Sequence, residues 1–194
     1  ANYLARAAGV RAGMAVGEAR RLCPRLVVVP YEFQLYEDLS ERFYRCLVRR
    51  SALVEPLSVD EAFVDVSALV GRGRRAGRRR QQGGGAGGEA AADEEEEGDG
   101  GADLQNDDDD GALALAEDLR AEIARATGGC TASVGVGPNK LLARLATRAA
   151  KPDGARRVLP GGEALSFLAA LPATALPGVG WSLGRRLSDM GVST

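Results

Sequence analysis

Apolar positions along the chain recur at two periods. Leu39, Phe43, Cys46 and Leu47 fall at helical spacing, which predicts a helix over about residues 34–50. Leu115, Leu119, Ile123 and Ala126 predict a second helix, starting near 112 and ending at Gly128. "PNKLLARLATRAAKPDG" predicts a third, with Pro138 in its first turn and a stop before Pro152. Short helices are expected on either side of residues 9–13, in "GGEALSFLAAL" and in "WSLGRRLSDMG". Three stretches have strand character: 26–29, halted by Pro30; "LVEPLSVDEAFVDVS", as one strand or two hinged near Pro56; and "CTASVGVG". This succession predicts an α+β fold, a mixed sheet with helices on one face, flanked by small helical modules.

Residues 71–111 break the pattern. They hold six arginines followed by twelve acids among Gly and Ala, with one Leu and no aromatic or β-branched residue. Such a segment cannot bury enough apolar surface to offset chain entropy, so it is expected to be a disordered insert. Its "DDDD" run lacks the carboxylate spacing of an EF-hand loop. The insert also conceals the charge of the rest. The whole chain has 25 basic and 27 acidic residues, but without the insert the balance turns basic. That permits an anionic partner.

The 194 residues contain no histidine, which removes a His general base, a Ser-His-Asp triad and every His-containing zinc site. Cys23, Cys46 and Cys130 are far apart, odd in number and without a CxxC, and are expected as reduced, small core residues of an intracellular protein. No apolar run approaches a membrane span, and no secretory signal is present. The chain starts without Met and reads as a segment of a longer protein.

"LSVDEAFVDV" poses the sharpest chemical question. Its apolar residues predict a buried strand, yet it carries Asp60, Glu61 and Asp65. Buried carboxylates are costly unless paired or bound to a cation. Neighbouring side chains on a regular strand face opposite sides, so Asp60 and Glu61 share a site only where the backbone bends, bulges or forms a hairpin. Glu61 and Asp65 would lie about 13 Å apart along a strand, so Asp65 is not expected to share their ion. Clustered carboxylates without His suit a hard cation, Mg²⁺ or Mn²⁺. The competing reading is a solvated Asp-Glu pair in a hairpin.

Three basic or glycine-rich features could meet phosphate. Arg148 and Lys151 end a helix, where they also suit the macrodipole. Tyr3 and Arg6 share one helical face, where a phenol and a guanidinium could hold a phosphate chain or simply be solvated. "LPGVG", residues 176–180, precedes a helix with Arg185 and Arg186. Gly178 and Gly180 would let the backbone approach a phosphate, or merely form a turn between packed helices.

Taken together these residues resemble the Y-family translesion DNA polymerases. "ANYLARAAGVRAGM" resembles the fingers motif, "LSVDEAFVDV" the palm motif with its metal-binding pair, "TASVGVGPNKLLARLATRAAKPDG" the second palm motif, and "LPGVGWSLGRRLSDMGV" the thumb hairpin. "CPRLVVVPYEFQLYEDLSERFY" is most similar to the REV-type deoxycytidyl transferase branch.

The resemblance implies partial fingers over 1–29, a partial palm over 30–158 interrupted by the insert, and a partial helical thumb over 159–194. It implies that Asp60 and Glu61 are catalytic residues holding two Mg²⁺ ions, with Mn²⁺ as an alternative. Tyr3, Arg6 and Lys151 would bind the incoming dNTP, which is dCTP for the REV-type branch. Gly178, Gly180 and Arg185 would meet primer-template DNA. It further places an aspartate-bearing strand ahead of Ala1 and a little-finger domain beyond Thr194. Contacts with other translesion polymerases would use regions outside this chain, in the nucleus for the REV-type branch and in the cytoplasm for a bacterial relative. The implied function is nucleotide transfer to a primer 3′-OH opposite damaged template. The alternatives are a largely non-catalytic DNA-binding scaffold of the translesion complex and a polymerase of another Y-family branch. A plain helix-hairpin-helix DNA-binding protein leaves "SVDEAF" and "AKPDG" unexplained.

Overall fold

A computed structural model describes residues 1–70 and 106–192 of the chain, with side chains in 1–70 and 111–192. Two compact units are present, Ala1–Tyr36 and Glu37–Thr194.

In the first unit, α1 (Tyr3–Ala7) is capped by Asn2, whose side chain accepts from the Ala5 amide at 3.0 Å. Helix α2 (Val16–Leu22) follows. Ala5, Val10 and Ala19 form a small core with Met14, Cys23 and Leu26 against it. The strand expected over 26–29 is not formed; these residues are irregular, and Val27, Val28 and Val29 are exposed. A short apolar run makes a strand only with a pairing partner, and it has none among the described residues of this unit.

Helix α3 (Phe33–Arg50) leads into the second unit. It is followed by an antiparallel hairpin, β1 (Val54–Pro56) with β2 (Ala62–Val64), in the register Val54 to Val64 and Pro56 to Ala62. The strand part of "LSVDEAFVDV" is therefore only three residues long. Residues 57–61 form the connecting loop and are exposed, so the expectation of a buried carboxylate strand is corrected. Pro56 and the local turn end the ladder before Asp60.

Helix α4 (Asn106–Thr127) starts six residues before the expected 112, so the end of the expected disordered insert is helical instead. Extending a nucleated helix costs little per residue. Residues 71–105, which carry the rest of that expectation, lie outside the described residues. Cys46 and Leu47 of α3 and Ile123 of α4 form a core against which Tyr44, Val54, Ala62 and Val64 pack. Arg50 fastens the two helices at the edge, its Nε and a terminal nitrogen 3.0 and 2.7 Å from one Glu122 oxygen.

Strand β3 (Val134–Val136), helix α5 (Lys140–Ala150) and strand β4 (Ala155–Arg157) form a βαβ unit with β3 and β4 parallel. The described strands thus make two separate pairs, β1 with β2 and β3 with β4. Pro138 precedes helix α5 rather than lying in its first turn. Asn139 is the cap, its side chain accepting from the Leu142 amide at 2.9 Å, which outcompetes proline as the start signal. Gly135 lets α5 lie directly on β3: a Cβ there would run into the backbone of Ala143 and Thr147.

Helix α6 (Gly162–Ala169), a 3₁₀ turn (Ala173–Ala175) and α7 (Trp181–Asp189) complete the described chain. Leu142, Leu145 and Ala146 of α5, Val158 after β4, and Ala164 and Phe167 of α6 share one buried cluster. Helix α6, within the segment expected as thumb, thus packs on the βαβ unit, whereas α7 contributes no residue to this cluster. All three cysteines are free; Cys46 is buried and Cys23 half-buried, but Cys130 is exposed, which corrects its expected core position. It follows Gly128 and Gly129 in the turn leaving α4, where the chain lies at the surface.

Candidate functional site

The loop between β1 and β2 carries Asp60 and Glu61. It is closed by its own backbone: the Leu57 and Ser58 amides donate to the Glu61 carbonyl at 2.8 and 3.1 Å. The Ser58 hydroxyl donates to the Asp60 carboxylate at 2.7 Å, fixing one oxygen. Both acidic residues are exposed, so no partner is needed to offset burial. The turn allows two carboxylates of opposite strand parity to occupy one loop tip. Asp65 does something else. Its carboxylate accepts from the Ser67 amide at 2.9 Å and starts the helical turn at 67–70. The Ser67 hydroxyl first, and then its amide, hold this carboxyl below the usual carboxylate range.

Behind the loop stands Tyr44, whose hydroxyl oxygen lies 2.6 and 3.0 Å from the Ser58 and Glu61 carbonyls, the two acceptors sharing its single proton. Burial, and next the negative charge of Asp60, push this phenol above its ordinary pKa. Lys140, at the start of α5, pairs with Glu55 on β1 and lies 5.7 Å from the centre of the Phe63 ring, so the hairpin is tied to the βαβ unit. Neither Tyr44 nor Lys140 is marked by the sequence. Each acts on residues distant along the chain, and no local pattern encodes that.

Lys151 ends α5 in extended conformation and is exposed. The corner after it is braced by Arg120 of α4, which pairs with Asp153 and Glu117 and donates to the Ala132 carbonyl at 2.8 Å. The hydrogen bond to Asp153 is the main reason this guanidinium is raised still further above its ordinary pKa. Arg148 donates to the Ala175 carbonyl at 2.6 Å and so joins α5 to the 3₁₀ turn instead of standing free beside Lys151.

At the turn over 176–180, Gly178 has φ +89°, a backbone that favours glycine. Gly180 caps α7 with φ −80°, and a Cβ on it would meet nothing within 4 Å. Among the described residues, neither backbone geometry nor packing requires glycine at 180. Arg185 is exposed and lies 5.5 Å from the centre of the Trp181 ring. In the first unit, the Arg6 guanidinium lies 5.6 Å from the centre of the exposed Tyr3 ring, and its Nε donates to the Ala1 carbonyl at 2.8 Å. The structure thus brings Tyr3 together with Arg6, keeps Asp60 beside Glu61, and joins Gly178 to Gly180 through the Gly180 amide, which donates to the Gly178 carbonyl at 3.1 Å; the contact shown for Arg185 is with Trp181. Among the described residues of the second unit, no hydrogen bond or ion pair joins the Asp60–Glu61 loop to Lys151 or to the Gly178 turn.

The described residues contain no group of three or more His, Cys, Asp or Glu arranged to hold a metal ion. The two-carboxylate loop nonetheless fits a hard divalent cation, because Mg²⁺ is ordinarily bound by one or two carboxylates with water and substrate phosphates completing its shell.

The chain is matched among known proteins. The impB/mucB/samB family description fits residues 1–148. The chain belongs to this family, the Y-family of DNA polymerases. The Y-family resemblance seen in the sequence, and the α+β fold class, are borne out. DNA repair protein REV1 of Arabidopsis thaliana is 40% identical over 194 residues, all of this chain and 14% of that protein. DNA polymerase IV of Shewanella woodyi is 35% identical over 193 residues, 43% of its length. Among solved structures, a DinB family error-prone DNA polymerase from Sulfolobus solfataricus superposes with a TM-score of 0.74 at 29% identity, covering all of this chain and 47% of that one. An insertion ternary complex of Dbh DNA polymerase matches with the same TM-score and identity over 45% of its chain. The chain therefore spans less than half the length of these Y-family relatives. No described helix is long and apolar enough to cross a membrane.

Proposed function

We propose that this chain forms part of the catalytic core of a translesion DNA polymerase, which adds a nucleotide from a dNTP to a primer 3′-OH. The observation that carries this reading is the hairpin loop that presents Asp60 and Glu61 to solvent, with Asp60 oriented by Ser58. In this reading the two carboxylates hold divalent cations, Mg²⁺ or Mn²⁺. Once bound, such cations neutralise the phosphates and activate the attacking hydroxyl. Tyr3 and Arg6 bind the incoming triphosphate through a phenol and a guanidinium already placed side by side. Lys151 adds a positive charge from a braced corner. The Gly178–Gly180 turn receives the DNA backbone, and Arg185 supplies charge beside it, without reading sequence. Primer-template DNA and a dNTP are the substrates.

The REV-type branch is favoured by the "VPYEFQLY" segment and by 40% identity to REV1 across the chain, against 35% to the polymerase IV of S. woodyi. On that reading the enzyme is nuclear, and its dNTP is dCTP. Single-nucleotide insertion by the full-length protein opposite each of the four template bases tests the assignment. Insertion of dCTP opposite all four supports the REV-type reading. Insertion that follows Watson–Crick complementarity supports a polymerase IV-like branch, and absence of insertion with retained DNA binding supports a scaffold.

A further inference from the structure

Two carbonyls in the carboxylate loop, those of Ser58 and Glu61, flank Asp60 and converge on one oxygen, the Tyr44 hydroxyl, at 2.6 and 3.0 Å. The phenol comes from α3, an element otherwise outside the site. Its ring is already held by packing: it contacts the Cys46–Leu47–Ile123 core and meets Phe43 edge-on, with ring centres 5.0 Å apart. The loop also closes by its own amide bonds. The hydroxyl is therefore dispensable for burial and for making the turn. What it adds is a fixed distance between helix α3 and both ends of the tetrapeptide 58–61. That tetrapeptide includes Ser58, which orients the Asp60 carboxylate.

We infer that Tyr44 is a positioning residue, which sets the Asp60–Glu61 loop in the conformation that binds a divalent cation. The inference rests on the reading of Asp60 and Glu61 as cation ligands. Two adjacent carboxylates repel one another, and a free loop relieves that repulsion by letting them diverge. A cation gains most from a loop already held with both in place, and groups that orient ligands in this way commonly alter metal affinity or activity by 10–100-fold.

The test is Tyr44→Phe in the full-length protein, which removes the hydroxyl and keeps the ring. Mn²⁺ is titrated into the complex with primer-template and dNTP, and free Mn²⁺ is followed by electron paramagnetic resonance. The expected result is about ten-fold weaker Mn²⁺ binding, with unchanged circular dichroism and with kcat recovering at high Mn²⁺. A merely structural hydroxyl would alter thermal stability and leave cation affinity untouched. Wild-type Mn²⁺ affinity in Tyr44→Phe overturns the inference. Asp60→Ala run alongside separates the two claims. If Asp60→Ala binds Mn²⁺ normally, the ligand reading itself fails; if it loses Mn²⁺ while Tyr44→Phe does not, only the role of Tyr44 fails.

Discussion

Replacing Asp60 and Glu61 together by Ala in the full-length protein is expected to lower nucleotide transfer by about 10³-fold or more while leaving DNA affinity close to wild type. Cation stabilisation of a phosphoryl-transfer transition state supplies several kcal/mol, and each ~1.4 kcal/mol is ten-fold in rate. The fold has little to lose. Both residues are exposed on a loop, and among the described residues the one hydrogen bond to either carboxylate is that from the Ser58 hydroxyl to Asp60. Exposed substitutions of this kind usually stay within about 0.5 kcal/mol of neutral. DNA affinity depends on phosphate contacts made elsewhere. Single-turnover primer extension, with circular dichroism and fluorescence anisotropy on the same samples, checks all three quantities. Near-normal insertion by the double variant would remove these carboxylates from the chemistry.

The second large effect concerns a residue with no chemistry. Gly135→Val is expected to detach α5 from β3. The new Cβ would overlap the backbone of Ala143 and Thr147, and no rotamer change relieves a backbone clash. Overpacking costs about 1–3 kcal/mol even where side chains can yield, so the cost here should lie at or above the top of that range. Amide hydrogen exchange read by mass spectrometry should show α5 losing protection, and with it the anchor of Lys151. Gly180→Ala is the internal control: its backbone is extended, the added methyl meets nothing within 4 Å, and protection should be unchanged. Intact protection of α5 in Gly135→Val would contradict the packing described.

The helices were readable because their apolar residues repeat over several turns, as Leu39, Phe43, Cys46 and Leu47 do along α3. Strands were harder. Val27, Val28 and Val29 have strand composition but no pairing partner among the described residues of their unit, whereas β4 (Ala155–Arg157) pairs with β3 despite two consecutive arginines. A strand depends on a partner distant along the chain, and composition cannot report it. The carboxylate pair was legible only conditionally. Adjacent acids on a straight strand face opposite sides, so a shared site required a bend; the structure supplies a hairpin loop, but an exposed one in place of the expected buried strand. The supports of that loop were not legible. Tyr44 reaches 14 and 17 residues ahead to two backbone carbonyls, and Arg120 reaches 33 residues to Asp153. Such contacts follow from how the helices pack, which no local motif records.

Whether Asp60 and Glu61 hold cations decides the proposed chemistry. Crystals of the full-length protein with primer-template, a non-hydrolysable dNTP and Mn²⁺, measured at the manganese absorption edge, address this directly. The expected result is an anomalous peak within coordination distance of carboxylate oxygens of both residues. Manganese ligated elsewhere, with both carboxylates solvated, would contradict it.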